Sequence, residues 1–471
     1  MLKDWHLICY LLGISLVLQA RCQSSKGLET SLEMNIEGLE MKKIAYVIPT
    51  FPVASETFIT TEMKALKSLG HEVQGICFER SAEACQVGDE EITAAMIDLR
   101  YVTVPSLISL IFIVILKFFS SGWKGIQFAC EQQGIRPRSL VLQGFKLAYV
   151  SRKLRCEHIH AHFALCSTAT AIVAARLLGL GVSFTSHGSD VYKTPSDLSL
   201  KLQNADFSVA VCKRMQNDFN LINPAAQVYK VPCGIDMQFF NQKFHTDVMS
   251  VNENTSLLYL GRISETKGIL HLIQALAKLP ESFRPSIDIA GDGPMKTEAE
   301  QMTNDLGITQ SVNFLGSVSR VWVQKNCSQY SAMVLPFCKV EGGIMDTGPL
   351  VIKEALALKL PLLTTDIMAT GEFADTSCAF ISQSSNPEDL ARTLLKLLIS
   401  LNHIVLTETD LKALEKILGP RVEELYALLQ HPHPSDIIDE KVEVGYHKVM
   451  TQFSSKEQGL ALSKMFQQCG S

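Results

Sequence analysis

Two clusters of residues stand out for the chemistry they could do. The first is Gly261-Arg262-Ile263-Ser264-Glu265-Thr266-Lys267-Gly268, which follows a strand-like run and opens a helical one. A helix N-terminus offers unpaired N–H groups and the positive end of the helix dipole, both suited to phosphate. Arg262 and Lys267 add two fixed cations. The arginine can grip phosphate oxygens in pairs, and the lysine acts as a point charge. A surface arginine and lysine beside an ordinary turn is the plainer alternative. The second cluster is Asp346-Thr347-Gly348-Pro349, running into Leu350-Val351-Ile352-Lys353-Glu354-Ala355-Leu356-Ala357. Asp346 stands before a helix and Glu354 within its first turns. Asp346 can reach polar groups in a cleft, and Glu354 can accept two hydroxyls of a ribose. A helix-start acid and a solvated face residue are the alternatives.

Other chemistries fare worse. The Walker spacing G-x-x-x-x-G-K-[ST] is absent, and no G-x-G-x-x-G stands at the first strand, which disfavours a dinucleotide oxidoreductase. No D-x-D motif occurs, so nothing suggests a bound divalent cation. His158, His160 and His162 alternate along a strand-like run, share a face and resemble metal ligands, but no nearby acid or cysteine pattern completes the set. No metal is expected. Cys233 has no base in its vicinity in the sequence and reads as a packed thiol. The chain has 13 cysteines and no C-x-x-C pair, which argues against a disulfide framework or a zinc ribbon. Cys77, Cys130 and Cys166 lie in apolar runs and are expected to be buried. The sequons at Asn254 and Asn326 are read as chance occurrences.

These residues need a scaffold, and 471 residues supply material for two to four domains. Hydrophobic residues make up 47% and charged ones 19%, enough for sizeable cores. A net charge of −5 with no strongly basic half excludes a nucleic-acid binder held by backbone electrostatics. From Met41 onward, strand-length apolar runs alternate with amphipathic helical stretches. Strands are expected at 44–49, 73–78, 158–161, 182–186 and 206–211, with helices at 55–69 and 164–178. The pattern fades between Phe240 and Thr255 and then restarts. Strands follow at 257–260, 287–290, 312–315, 332–336 and 362–364, with helices at 268–279 and 349–358. Alternation of this kind builds parallel sheets covered by helices. The fold class is α/β: two doubly wound, Rossmann-like domains, 41–245 and 246–471, facing a central cleft, with the last helix packing back on the first domain. The stretch 402–441 breaks the alternation and reads as an irregular insertion.

The ends carry further expectations. Trp5 to Gln19 is apolar, follows Lys3, and is short for a spanning helix. Residues 1–40 therefore read as a leader, a secretory signal or signal-anchor, plus a linker. A second apolar run, Leu107 to Phe119, is also too short to span. It suits either a membrane interface or a core helix.

The motifs in combination resemble a known family. The G-R-x-x-x-x-K-G frame, the turn Ala290-Gly291-Asp292-Gly293-Pro294, and the acid-x7-acid element ending in Glu354-Ala355-Leu356-Ala357 occur in that order. The first half adds Pro49-Thr50-Phe51-Pro52-Val53-Ala54-Ser55-Glu56-Thr57-Phe58-Ile59, His160-Ala161-His162-Phe163, Ser186-His187-Gly188-Ser189-Asp190 and Val231-Pro232-Cys233-Gly234. The chain thus resembles the GT-B retaining glycosyltransferases of family four. Its Ser-Glu-Thr-Phe and His-Gly-Ser-Asp elements are similar to those of bacterial colanic-acid and capsular-polysaccharide transferases. The resemblance covers about Met41 to Phe380.

It implies an enzyme that moves a hexosyl group from a nucleotide-diphosphate sugar to a glycan or lipid-linked acceptor with retention, using no cofactor, metal or protein nucleophile. It implies that Arg262 and Lys267 neutralise the diphosphate, that Glu354 holds the ribose, and that the Gly291–Gly293 turn borders the donor. Asp346 and His187 would contact the sugar, and the loop carrying Ser55, Glu56 and Thr57 would close over donor and acceptor. The leader and such acceptors imply contact with a membrane surface or the secretory pathway, with the cytoplasmic face also open. The sequence departs from the family in three places. Asp346 replaces the commoner Glu, Thr347 stands where Gly usually follows, and a glycine-rich first loop is missing. The rival readings are an epimerase or phosphorylase on the same fold, or a non-catalytic binding protein that kept it.

Overall fold

The computed structural model describes residues 40–103, 122–241 and 256–468, apart from 54, 84, 194, 342–344 and 368. The apolar runs 5–19 and 107–119 and the expected boundary near residue 245 lie outside the described residues.

Two parallel sheets form the frame. The first contains β1 (Lys43–Phe51), β2 (Glu72–Arg80), β3 (Ile97–Asp98), β4 (His158–His162), β5 (Gly181–Ser186), β6 (Phe207–Ala210) and β7 (Val228–Lys230). They are ordered β3-β2-β1-β4-β5-β6-β7. The second contains β8 (Ser256–Leu260), β9 (Ser286–Ala290), β10 (Val312–Gly316), β11 (Ala332–Leu335), β12 (Leu362–Thr365) and β13 (Phe380–Ser382). Their order is β10-β9-β8-β11-β12-β13. In both sheets the strand order reverses beside the first strand, between β1 and β4 and between β8 and β11. A doubly wound sheet opens its ligand crevice at that point, beyond the carboxyl ends of the strands.

The central strands form because they are apolar along their whole length, as strands covered on both faces must be. Ile44 through Ile48 and Leu257 through Tyr259 are fully or almost fully buried. Four helices matter for the site: α1 (Thr57–Ser68), α2 (Ile269–Lys278), α3 (Leu350–Ala357) and α4 (Ser455–Gln468). The amphipathic α2 buries Ile269, Leu272, Ile273 and Leu276 against the second sheet's core.

Helix α4 comes from the C-terminal end yet belongs to the first sheet's core. Leu462 and Phe466 pack with Ile44, Tyr46 and Ile59. His71 Nε2 lies 2.7 Å from Ser463 Oγ, and Lys42 Nζ donates to the Phe466 carbonyl at 2.6 Å.

Two expectations are corrected. The stretch 402–441 is helical, not irregular: Glu408–Leu418 and Glu423–Leu429 are helices, and a third begins at Ser435. Thr407 and Asp410 form a reciprocal capping box, and Leu411, Leu414 and Leu418 make the buried stripe. Of the three thiols expected to be buried, only Cys77 is; Cys130 and Cys166 are exposed. Cys130 faces outward on the amphipathic helix Trp123–Glu131, and Cys166 is the first residue of the otherwise buried helix Cys166–Leu178. Among the described residues, no helix is long and apolar enough to cross a membrane.

Candidate active site

A cleft of about 710 Å³ runs between the two sheets and collects most of the singled-out residues. The second sheet supplies its charged wall. Arg262 and Lys267 follow β8, Gly291 follows β9, and Asp346 and Glu354 come from the loop and helix of α3; all five line the cleft. Gly268, with φ +68°, turns the chain from Lys267 into α2. A Cβ there would lie 1.8 Å from the Pro336 carbonyl oxygen, so only glycine brings Lys267 and α2 so close to β11.

The Ala290-Gly291-Asp292-Gly293 turn is set by close approach of backbones. A Cβ on Gly291 would meet the Gly261 carbonyl at 1.9 Å, and one on Gly293 the Ile263 carbonyl at 2.3 Å. Gly293 itself does not line the cleft. It holds the turn against the Arg262 loop, where Ile263 N donates to the Asp292 carbonyl at 2.9 Å.

The charges on this wall are unequal. Lys267 Nζ is paired with Asp346 Oδ2 at 2.7 Å, and it also lies 4.8 Å from the centre of the Phe337 ring. Among the described residues the exposed Arg262 guanidinium has no carboxylate partner. Glu354 is only partly open to the cleft. Burial pushes its carboxyl above the usual range, while Arg320 and Lys353 pull it back down.

Arg320 lines the same end of the cleft and was not singled out in the sequence. Its guanidinium lies 4.3 Å from the Phe239 ring and 5.0 Å from the Phe240 ring. Its Nε is buried without a hydrogen-bond partner. Nothing in the local sequence marks it, because its neighbours in space are 80 residues away in the chain.

The first sheet supplies a different wall. His187 follows β5 and lines the cleft. Its loop is fixed by the fully buried Asp190, whose carboxylate accepts from the backbone N–H groups of Ala164, His187 and Gly188. Thr347, the departure from the family pattern, donates from Oγ1 to the His187 carbonyl at 2.9 Å. It therefore ties the Asp346 loop to the opposite wall, a contact a glycine there could not make. The His187 ring lies 4.2 Å from Phe58, centre to centre. Burial holds its pKa well below the usual histidine value, with His162 and His160 adding to the depression.

Ser55 and Thr57 line the cleft, whereas Glu56 lines a smaller neighbouring pocket. Burial, opposed by His162 and reinforced by Glu83, raises the Glu56 carboxyl to about 7.

The three alternating histidines of β4 do share a buried face. His158 and His160 both contact Ser183 Oγ at 2.7 Å, and His160 Nε2 lies 3.0 Å from Thr185 Oγ1. The expectation that no acid comes near them is corrected. Glu62 of α1 brings its carboxylate to 3.3 Å from His162 Nε2 and 3.8 Å from His160 Nε2. Possible ligand atoms of Glu62, His160 and His162 all lie within 4.8 Å of one another. Cys233 faces His187 and is a buried thiol pushed up to about 12 by burial, which fits a packed group rather than a nucleophile.

The comparisons with known proteins agree with this architecture. Residues 241–403 match the family model described as glycosyl transferases group 1. A Bacillus subtilis glycosyltransferase assigned to teichuronic acid biosynthesis, TuaC, is 25% identical over 344 residues, 69% of this chain and 81% of that protein. WcaL of Salmonella typhimurium, assigned to colanic acid biosynthesis, is 22% identical over 353 residues, 69% of this chain and 82% of that one. Among solved structures, a glycosyltransferase from Rickettsia africae superposes with a TM-score of 0.62 at 15% identity, covering 91% of this chain and 98% of that one. Anabaena HepE in complex with UDP superposes with a TM-score of 0.62 at 13% identity, covering 90% and 100%. Both sheets thus have the GT-B arrangement, and residues 241–403 in the second half of the chain match the group 1 glycosyltransferases.

Proposed function

We propose that this glycosyltransferase moves a hexosyl group from a nucleotide-diphosphate sugar to a glycan or lipid-linked acceptor, with retention at the anomeric carbon. The observation that carries the reading is the convergence of Arg262, Lys267, Asp346, Glu354 and His187 on one cleft. Breaking the anomeric C–O bond leaves growing negative charge on the departing diphosphate. Cations held in place before the reaction stabilise that charge where it develops. Arg262 is placed to meet it, and Lys267 shares its charge between Asp346 and the phosphate. Glu354 takes the ribose hydroxyls, and Asp346 and His187 border the sugar. Front-face attack on the sugar needs no protein nucleophile, and with two cations at the diphosphate the reaction needs no metal. HepE was solved with UDP, which makes UDP-sugars the first donors to try.

The test is incubation with a panel of UDP-, GDP- and TDP-sugars and glycan acceptors in the presence of EDTA. Expected are free nucleoside diphosphate and a glycoside whose anomeric proton coupling matches that of the donor. An epimerised sugar, a dependence on inorganic phosphate, or donor-induced thermal stabilisation without turnover would each replace this reading with one of its rivals.

The leader is proposed to bring the protein to a membrane surface. A fusion of residues 1–40 to a reporter should fractionate with membranes, and a wholly soluble reporter would remove that role.

A further inference from the structure

Behind His187, three buried side chains turn metal-ligating atoms toward one another. Glu62 is 1% exposed, and His160 and His162 are fully buried. Glu62 comes from α1, and the two histidines stand at alternate positions of β4 and so share one face of the strand. Their possible ligand atoms all lie within 4.8 Å of one another. We propose that Glu62 Oε1, His160 Nε2 and His162 Nε2 bind one divalent transition-metal ion, zinc before others, as a structural centre that clamps α1 to β4 behind the first wall of the cleft. The site stands independently of the proposed function.

The observation that carries it is an orphaned atom. His162 Nε2 is buried and has no hydrogen-bond partner. It nevertheless faces Glu62 Oε1 at 3.3 Å. A buried ring nitrogen turned on a carboxylate without bonding to it is uncommon and costly. The same spacing is what two ligands of one tetrahedral zinc require. With bonds of about 2.0–2.2 Å, neighbouring ligand atoms stand about 3.3–3.6 Å apart. His160 Nε2, 3.8 Å from the same oxygen, is just outside that range.

The surroundings fit ligands as well. Metal-bound histidines bond through their other ring nitrogen, and ligating carboxylates are hydrogen-bonded in turn. All three groups meet that pattern. His160 Nδ1 lies 2.7 Å from Ser183 Oγ, His162 Nδ1 lies 2.9 Å from His187 Nε2, and Glu62 Oε2 accepts from Gln458 Nε2 at 2.5 Å. The Tyr46 hydroxyl, 2.8 Å from Glu62 Oε1, stands beside the set and can complete a fourfold shell. One contact is given up: the Thr185 hydroxyl, 3.0 Å from His160 Nε2, has to turn aside.

The donor set also selects the ion. Two imidazoles and one carboxylate disfavour magnesium and calcium, which take oxygen ligands. Burial favours zinc, whose structural sites are closed, over iron(II), whose sites of this composition keep positions open. None of the three ligands lines the cleft, so the ion serves the fold and not the sugar donor.

The experiment is metal analysis of the full chain, produced without a histidine tag and dialysed against metal-free buffer. Expected is about one equivalent of zinc per chain by plasma mass spectrometry, present on isolation or taken up from added Zn²⁺. Dipicolinate should lower the melting temperature by about 5 °C or more, and excess Zn²⁺ should restore it. Another transition metal in the same amount supports the site and changes only the ion. Less than about a tenth of an equivalent, with a melting temperature indifferent to dipicolinate and Zn²⁺, overturns the proposal, and this result needs no variant. Where the variants fold, Glu62→Gln and His162→Gln should lose the ion. Substituting the exposed His431 and His433 by alanine should leave it in place. Retention in the first two variants, or loss in the third, marks an adventitious ion only and overturns the site. A zinc-bearing chain that transfers no sugar supports the site and overturns the functional reading instead.

Discussion

The two walls of the cleft solve the same problem, holding polar groups against a sugar nucleotide, in opposite ways. The second-sheet wall keeps its charges at the ends of strands and on short loops, where Arg262 is exposed and Lys267 and Asp346 keep roughly a fifth to a quarter of their side-chain surface. The first-sheet wall lines the cleft with Ser55, Thr57, Phe58, His187 and Cys233 and keeps Glu62, His160 and His162 buried behind them. Charges that must meet a substrate cannot be buried without losing much of their use, because desolvation raises their cost before the ligand arrives. Groups that only aim another side chain gain from burial, since each hydrogen bond is firmer away from water. The first wall should therefore tolerate almost no change in shape, and the second should respond chiefly to changes in charge.

The largest effect is expected at Arg262. Because Lys267 is already paired with Asp346, Arg262 is the cation with the most charge to give a diphosphate. Arg262→Ala should lower kcat/KM for the donor on the order of tenfold to a hundredfold without lowering the melting temperature. Lys267→Ala should cost less. The reverse ranking would show that the Lys267–Asp346 pair opens fully when the donor binds.

Asp346→Asn tests the same pair from the other side. It removes the carboxylate from the sugar site and releases Lys267 to the phosphates. Turnover should fall about tenfold while nucleoside-diphosphate affinity holds or tightens, read by calorimetry alongside steady-state rates. Weaker nucleotide binding would mean that Asp346 holds Lys267 in place rather than restraining its charge.

Glu354→Gln should do the converse, weakening nucleoside-diphosphate affinity several-fold, since an amide cannot accept from both ribose hydroxyls. The raised carboxyl adds a pH signature. Only the ionised form accepts two hydroxyls. Wild-type affinity should therefore fall on acidification at a higher pH than an ordinary glutamate would give, and the Gln variant should lack that step. A step that survives in Glu354→Gln belongs to another group.

The contrast between the walls also explains what the sequence could reveal. The charged wall is written in short contiguous motifs, Gly261–Gly268 and Asp346–Glu354, so these motifs with the family resemblance were enough to assign its residues to one site. The strands were legible for the same local reason: buried parallel strands are continuous apolar runs. The first-sheet wall is assembled from distant segments, and the contact from Gln458 to Glu62 spans 396 residues. Glu62 looks like one more polar residue of an amphipathic helix until α4 and β4 close over it. Arg320 was illegible in the same way, since its aromatic partners lie across the gap between domains. The 402–441 helices were illegible for a different reason: the prolines and histidines around residue 432 interrupt the helical pattern that the Thr407 cap and its leucine stripe begin.

The smallest effect is expected at Glu56, which belongs to the first-sheet side but lines a pocket beside the cleft rather than the cleft itself. It lies on the loop at the cleft mouth, yet burial raises its carboxyl from 4.5 to about 7, with Glu83 adding to the rise and His162 opposing it. A carboxyl whose pKa is higher in the folded state binds its proton more tightly there. Its contribution to stability is therefore complete below the ordinary glutamate range and is lost as pH rises through about 7. The difference in melting temperature between wild type and Glu56→Gln should change across that window, the variant gaining on the wild type as the solution becomes alkaline. Glu83→Gln in the wild-type background should move the window to lower pH by removing the like charge. If the difference between wild type and Glu56→Gln is flat from acid to alkaline pH, Glu56 is solvated like the charged wall, and the line between the two walls must be drawn on the other side of it.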